Sequence, residues 1–184
     1  MISWLVPLPD EYVPHLTKID FDALVGRGIT HYLIDIDNTL RKSKAVPGEP
    51  EFNEACIHRL NELRIAGTMK GLVLLSNVIF PSKKRMERIR RLAQRLGGVQ
   101  TVCCSFWNSK PNSWGYRRGL ELLEAKPQEV AMIGDQLFTD IKGAKRFGLY
   151  AILTKPLGRE AFYTAWKRPF ERLILKLAQQ QTLR

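Results

Sequence analysis

Five short apolar runs recur along this 184-residue chain, each separated from the next by a stretch with helical spacing. They are HYLIDID (31–37), GLVLLS (71–76), VQTVCCS (99–105), EVAMIGD (129–135) and LYAIL (149–153). Each is the length of a strand and rich in strand formers. Their continuous rather than alternating apolar character requires cover on both faces. Between them, Phe52, Ala55, Ile57, Leu60 and Leu63 trace one helical face over 51–66, closed by Gly67. A second helix starts at Pro81, placed at the first helical position, with apolar residues at Met86, Ile89, Leu92, Ala93 and Leu96 and a stop at Gly97-Gly98. Two more span 112–125 and DIKGAKRFG. Strands alternating with helices predict a Rossmann-like α/β fold: an open, mainly parallel five-stranded sheet with helices on both faces. The first 30 residues read as turns and one short helix ending at the glycines of VGRG. The expected organisation is a core over 1–155 and a basic amphipathic tail over 156–184.

Parallel sheets bind ligands at the carboxyl ends of their strands. Here the first run leads into Asp35-Ile-Asp37-Asn-Thr39-Leu40, the second ends at Ser76-Asn77, Lys110 follows the third, and the fourth ends at Gly134-Asp135 with Asp140 five residues on. Four carboxylates, two hydroxyls and one ammonium are thus expected at one edge. Crowded carboxylates raise one another's pKa values. A hard divalent cation relieves that repulsion, and all-oxygen ligands suit Mg²⁺, which shares its shell readily with phosphate. One carboxylate could then attack phosphorus and another could move the proton. D-x-D alone is common in turns and also opens an EF-hand loop. The EF-hand reading fails, because Leu40 stands where glycine is required and Val46 where the closing glutamate is required. Asp135, Asp140 and Lys110, taken singly, are ordinary surface or turn residues; the ordered set, each after a strand, is what carries meaning.

DIDNTL, SN, Lys110-Pro111 and GDQLFTD resemble the four motifs of the haloacid dehalogenase-like (HAD) hydrolases. GDQxxTD and the short chain are similar to subfamily IIIA. LPDEY near the start and the segment from Arg168 to Leu175 resemble the YqeG-type phosphatases, relatives of the mitochondrial phosphatidylglycerophosphate phosphatase. The resemblance implies Asp35 as nucleophile and metal ligand. It implies Asp37 as general acid/base, with its carbonyl on the metal. Thr39, Ser76, Asn77 and Lys110 would bind phosphate, Asp135 would bind Mg²⁺, and Asp140 would support that shell. It further implies an aspartyl-phosphate intermediate and hydrolysis of phosphatidylglycerophosphate to phosphatidylglycerol. The stretches 41–75 and 77–109 are too short for an added cap domain, so the site is expected to be open to a bulky substrate.

Charge bears on the partner. Residues 81–184 carry 21 Lys and Arg against 8 Asp and Glu, whereas residues 1–80 carry 8 against 10. The helix from Pro81 alone holds Lys83, Lys84, Arg85, Arg88, Arg90, Arg91 and Arg95 against Glu87. In the tail, Trp166, Phe170, Leu173, Ile174 and Leu177 form an apolar stripe beside Lys167, Arg168, Arg172 and Lys176, the composition of an interfacial helix or of one that packs on the core or a second subunit. Trp4, Leu5 and Val6 could lie beside it. An anionic phospholipid substrate and peripheral contact with an anionic membrane are expected. A nucleotide, a nucleic-acid end or a phosphoprotein is the alternative substrate, and a non-catalytic basic adaptor for nucleic acid or rRNA is the alternative of another class. Cys56, Cys103 and Cys104 show neither disulfide nor zinc spacing, and the N-terminus lacks the features of a secretory signal. Together these make the cytoplasm, with the inner face of the membrane, the expected location.

Overall fold

A computed structural model describes residues 8–43 and 48–158. The tail stripe from Trp166 to Leu177 and the segment Trp4–Val6 lie outside the described residues. Six strands build one sheet: β1 (Glu11–Val13), β2 (His31–Ile34), β3 (Gly71–Asn77), β4 (Gln100–Cys104), β5 (Val130–Gly134) and β6 (Tyr150–Thr154). Their order is β1-β6-β5-β2-β3-β4, and every neighbouring pair is parallel. The chain builds outward from β2 through β3 to β4, then returns to the other side of β2 for β5. The carboxyl ends of β2 and β5 therefore flank the point where the winding reverses, which is where a crevice opens in such sheets.

Strand side chains divide cleanly between two cores. Tyr32, Ile34, Leu72, Leu74, Ala131, Ile133 and Ile152 face α1 (Phe21–Gly26), α2 (Glu54–Ile65) and α3 (Lys83–Arg95). Leu33, Val73, Leu75, Val130, Met132, Ala151 and Leu153 face α4 (Ser113–Leu123) and α5 (Lys142–Arg146). Burial on both faces explains why the runs show no polar alternation. On the second face the helices approach closely because they present glycine. A Cβ on Gly119 would meet Leu33, and one on Gly143 would overlap the Tyr116 ring. All three cysteines are free, with Cys56 and Cys104 buried.

Two expectations need correction. The sheet has six strands rather than five, because Glu11–Val13 pairs with Ile152–Thr154 at its edge. Three residues between Pro9 and Pro14 are too few to show a period, and an edge position tolerates the flanking prolines. Asp10 fixes this strand. Its N–H donates to the Ala151 carbonyl at 2.8 Å, while its carboxylate accepts from the Ala151 N–H at 2.8 Å and from Lys145 Nζ at 2.7 Å. Pro81, in turn, does not open α3. Ser82 is the cap, its hydroxyl accepting from the Arg85 N–H at 3.2 Å.

Asp10→Ala should lower stability by about 1–3 kcal/mol, since it strips a charged acceptor from a strand N–H. Urea unfolding at constant m-value checks this.

Candidate active site

Three carboxylates meet beneath the crevice at the β2/β5 reversal. Asp35 immediately follows β2, and its N–H still donates to the Ile133 carbonyl at 2.9 Å. Asp135 immediately follows β5. Asp140 sits in a single π-helical turn, Leu137–Ile141, that brings it back over the strand end. All three are buried, and each offers a carboxylate oxygen within 4.8 Å of the other two. That span is near the roughly 4 Å that separates opposite ligands on a cation with bonds of about 2.1 Å. Gly134 makes the approach possible, because any Cβ there would overlap the Asp140 carboxylate. The Asp140 turn is held by its own Oδ2, which accepts from the Gln136 N–H at 3.1 Å, and by the Tyr116 hydroxyl, which donates to the carbonyls of Thr139 and Asp140 at 2.9 and 3.1 Å.

Lys110 ties this cluster together. Its side chain is buried, with Nζ 2.5 Å from Asp35 Oδ1, 2.7 Å from Asp140 Oδ1 and 3.0 Å from the Leu75 carbonyl. Burial opposes its charge, but Asp140 and Asp35 outweigh burial and hold the ammonium well above its ordinary pKa. Asn77 fixes the lysine from the end of β3. Its Oδ1 accepts from the Lys110 N–H at 2.7 Å and its Nδ2 donates to the Lys110 carbonyl at 3.5 Å.

The Lys110 ammonium is shared between Asp35 and Asp140 and does not fully offset the crowding of these buried carboxylates. Burial, with Asp140 and Asp37 adding to it, pushes the Asp35 carboxyl up to about 7 against the opposing pull of Lys110. Hard oxygen donors, buried and short of positive charge, are what a divalent cation requires, so the residues present fit such an ion.

A cavity of about 390 Å³ opens over the cluster, lined by Asp35, Asp37, Ser76, Asn77, Lys110 and Asp140 together with Asn38, Arg85, Phe80 and Phe106. Asp135 is fully buried and does not line the cavity, but its carboxylate lies beside those of Asp35 and Asp140. The Asp37 carboxylate does not join the other three. It pairs with Arg41 and, at 2.9 Å, with Arg85, whose Nη2 also donates to the Asn77 carbonyl at 2.7 Å. The turn that places Asp37 beside Arg41 is closed by Asn38 in the left-handed region, at φ 64°. Thr39 is buried in the same loop. It does not line the cavity, and its hydroxyl has no partner among the described residues.

Arg41 and Arg85 are site residues that sequence reasoning missed, Arg85 because it belonged to an apparently solvated helix face. That face is less open than its composition implied. Glu51 pairs with Arg88 and Arg91, and Glu54 with Arg95. Among the described residues no cap domain is evident and no helix is long and apolar enough to cross a membrane.

Comparison with known proteins agrees with this geometry. Residues 107–156 match a family model described as HAD-hydrolase-like. The chain is 28% identical over 169 residues to the "Probable phosphatase YqeG" of Bacillus subtilis, covering 91% of this chain and 89% of that protein. It is 31% identical over 97 residues to the glyceraldehyde 3-phosphate phosphatase of Pyrococcus furiosus, covering 52% of this chain and 39% of that one. In fold it is similar to an uncharacterized protein from Listeria monocytogenes (TM-score 0.50, 18% identity, 80% of this chain and 99% of that one). It is likewise similar to a HAD-superfamily hydrolase from Ehrlichia chaffeensis (TM-score 0.50, 16% identity, 74% and 94%).

Mg²⁺ at about a hundredfold excess over its Kd should raise the melting temperature by roughly 5–10 °C, and EDTA should reverse the shift. Asp135→Asn should abolish most of it. Differential scanning calorimetry with and without the metal checks both. A parallel sheet with paired carboxylates at its winding reversal, a buried lysine bridging them and similarity to YqeG over nine-tenths of the chain make this protein similar to the phosphatases of the HAD superfamily.

Proposed function

We propose that this phosphatase hydrolyses a phosphomonoester carried on a lipid headgroup, phosphatidylglycerophosphate, at the surface of an anionic membrane, releasing phosphatidylglycerol and phosphate. The observation that carries the chemistry is the buried Asp35–Lys110–Asp140 chain beside Asp135, at the foot of an open crevice. The lipid reading is supported by that openness, by the cationic half of the sequence, and by the resemblance of the sequence to YqeG-type phosphatases and, through them, to the mitochondrial enzyme.

In this reading the Asp35 carboxylate attacks phosphorus, the bond from phosphorus to the glycerol oxygen breaks, and the phosphoryl group is carried on Asp35 as an acyl phosphate. Asp37 delivers a proton to the departing oxygen, then takes one from the water that attacks the acyl phosphate, which restores Asp35 and frees phosphate. Arg41 and Arg85 hold the Asp37 carboxylate at the cavity wall. Lys110 offsets negative charge as the phosphoryl group arrives, and the Ser76 hydroxyl donates to its oxygens; Thr39, buried away from the cavity, takes no part in that contact. Asn77 acts at one remove, by fixing the Lys110 backbone. Asp35, Asp135 and Asp140, with the Asp37 carbonyl, would hold Mg²⁺, which would polarise the phosphoryl oxygens and reduce repulsion between them and the carboxylates.

Asp35→Asn should reduce phosphate release below about one-thousandth of wild type on every substrate. Asp37→Asn should cost about 10²–10⁴-fold on phosphatidylglycerophosphate in mixed micelles, but much less on an aryl phosphate, whose departing oxygen needs no proton. Release from the aryl ester without release from the lipid would remove the lipid substrate and keep the chemistry. Equal hydrolysis by Asp35→Asn would remove the chemistry.

A further inference from the structure

Three large aromatic side chains stand in water beside the cavity. Phe80 is 82% exposed, Phe106 61% and Trp107 83%. Phe80 and Phe106 line the cavity mouth from the loops after β3 and β4, and Trp107 packs edge-on against Phe106 with ring centroids 5.4 Å apart. Contiguous exposed apolar surface of this kind is uncommon on a protein that meets only solvent. Three residues beyond Phe80 come Lys83 and Lys84, both exposed, and neither forms an ion pair with a described residue. Farther along α3, by contrast, Arg88, Arg91 and Arg95 are committed to Glu51 and Glu54. The cations left for a partner at this end of α3 are therefore next to the aromatic rim.

We infer that the Phe80–Phe106–Trp107 rim and the Lys83–Lys84 pair form one docking surface for an anionic lipid bilayer, seating the cavity mouth among the headgroups. The inference rests on the proposed lipid reading only in naming what the cavity meets; docking itself is measurable apart from turnover. Aromatic rings flanked by lysines match the boundary of a bilayer, where rings reach the upper acyl region while ammonium groups meet lipid phosphates. A polynucleotide would require cations along an extended path, whereas Arg88, Arg91 and Arg95 farther along α3 are already committed to Glu51 and Glu54. A second copy of the chain would bring the two Lys83–Lys84 pairs face to face.

The test uses the full chain and vesicles of phosphatidylcholine with or without phosphatidylglycerol. Wild type should sediment with the anionic vesicles. Trp107→Ser should weaken that partition by about fivefold or more, with hydrolysis of a soluble aryl phosphate unchanged, and Lys83→Glu/Lys84→Glu should weaken it by about tenfold or more. Arg118→Glu, on α4 and away from the rim, should do neither. Brominated acyl chains should quench a component of tryptophan emission that Trp107→Phe lacks. Partition equal to wild type in both rim variants overturns the inference. So does binding to an RNA oligonucleotide in place of vesicles, or a dimer that Trp107→Ser dissolves. Intact docking without phosphate release from the lipid leaves the surface standing and removes the substrate reading.

Discussion

Carboxylates do not gather beneath a protein surface unless something holds them there, and in this molecule that is the Lys110 ammonium. It touches Asp35 and Asp140 at once and rests on the Leu75 carbonyl. Removing one partner from a buried ionic group leaves an uncompensated charge, typically costing about 3–5 kcal/mol. Much of the surrounding construction keeps this contact in place. Asn77 fixes the lysine backbone, Tyr116 and Gln136 fix the Asp140 turn, and Gly134 leaves room for the carboxylate. They come from the end of β3, from α4 and from the end of β5, so the cluster depends on the sheet order that brings β2, β3 and β5 side by side.

That ammonium does not by itself return Asp35 to an ordinary carboxylate: burial, with Asp140 and Asp37 adding to it, still pushes its carboxyl up to about 7. A divalent ion held among Asp35, Asp135 and Asp140 would relieve the same repulsion.

Much of this was legible beforehand because the chemistry lies immediately after strands whose continuous apolar character is unmistakable. Asp35, Ser76, Lys110 and Asp140 all reach one cavity, with Asp135 beside Asp35 and Asp140, as their positions in the chain imply. What escaped was what depends on tertiary approach. β1 is too short to carry a period, and its partner is more than 130 residues away. The α3 arginines look solvated until Glu51, just before α2, and Glu54, at its start, meet them. Arg85 belongs to that helix yet reaches Asp37, 48 positions earlier. Asn77 is expected from its motif to bind phosphate, but its amide is engaged with the backbone of Lys110. No local pattern encodes such long-range pairings.

The openness of the cavity has a chemical corollary. An enzyme that hands a phosphoryl group to an alcohol must keep bulk solvent away from its acyl phosphate, and usually does so by closing over it. With nothing among the described residues to close, any acyl phosphate formed on Asp35 would meet solvent first, and solvent is present in vast excess over any competing acceptor. In the proposed mechanism such an intermediate would then be quenched by water rather than passed on.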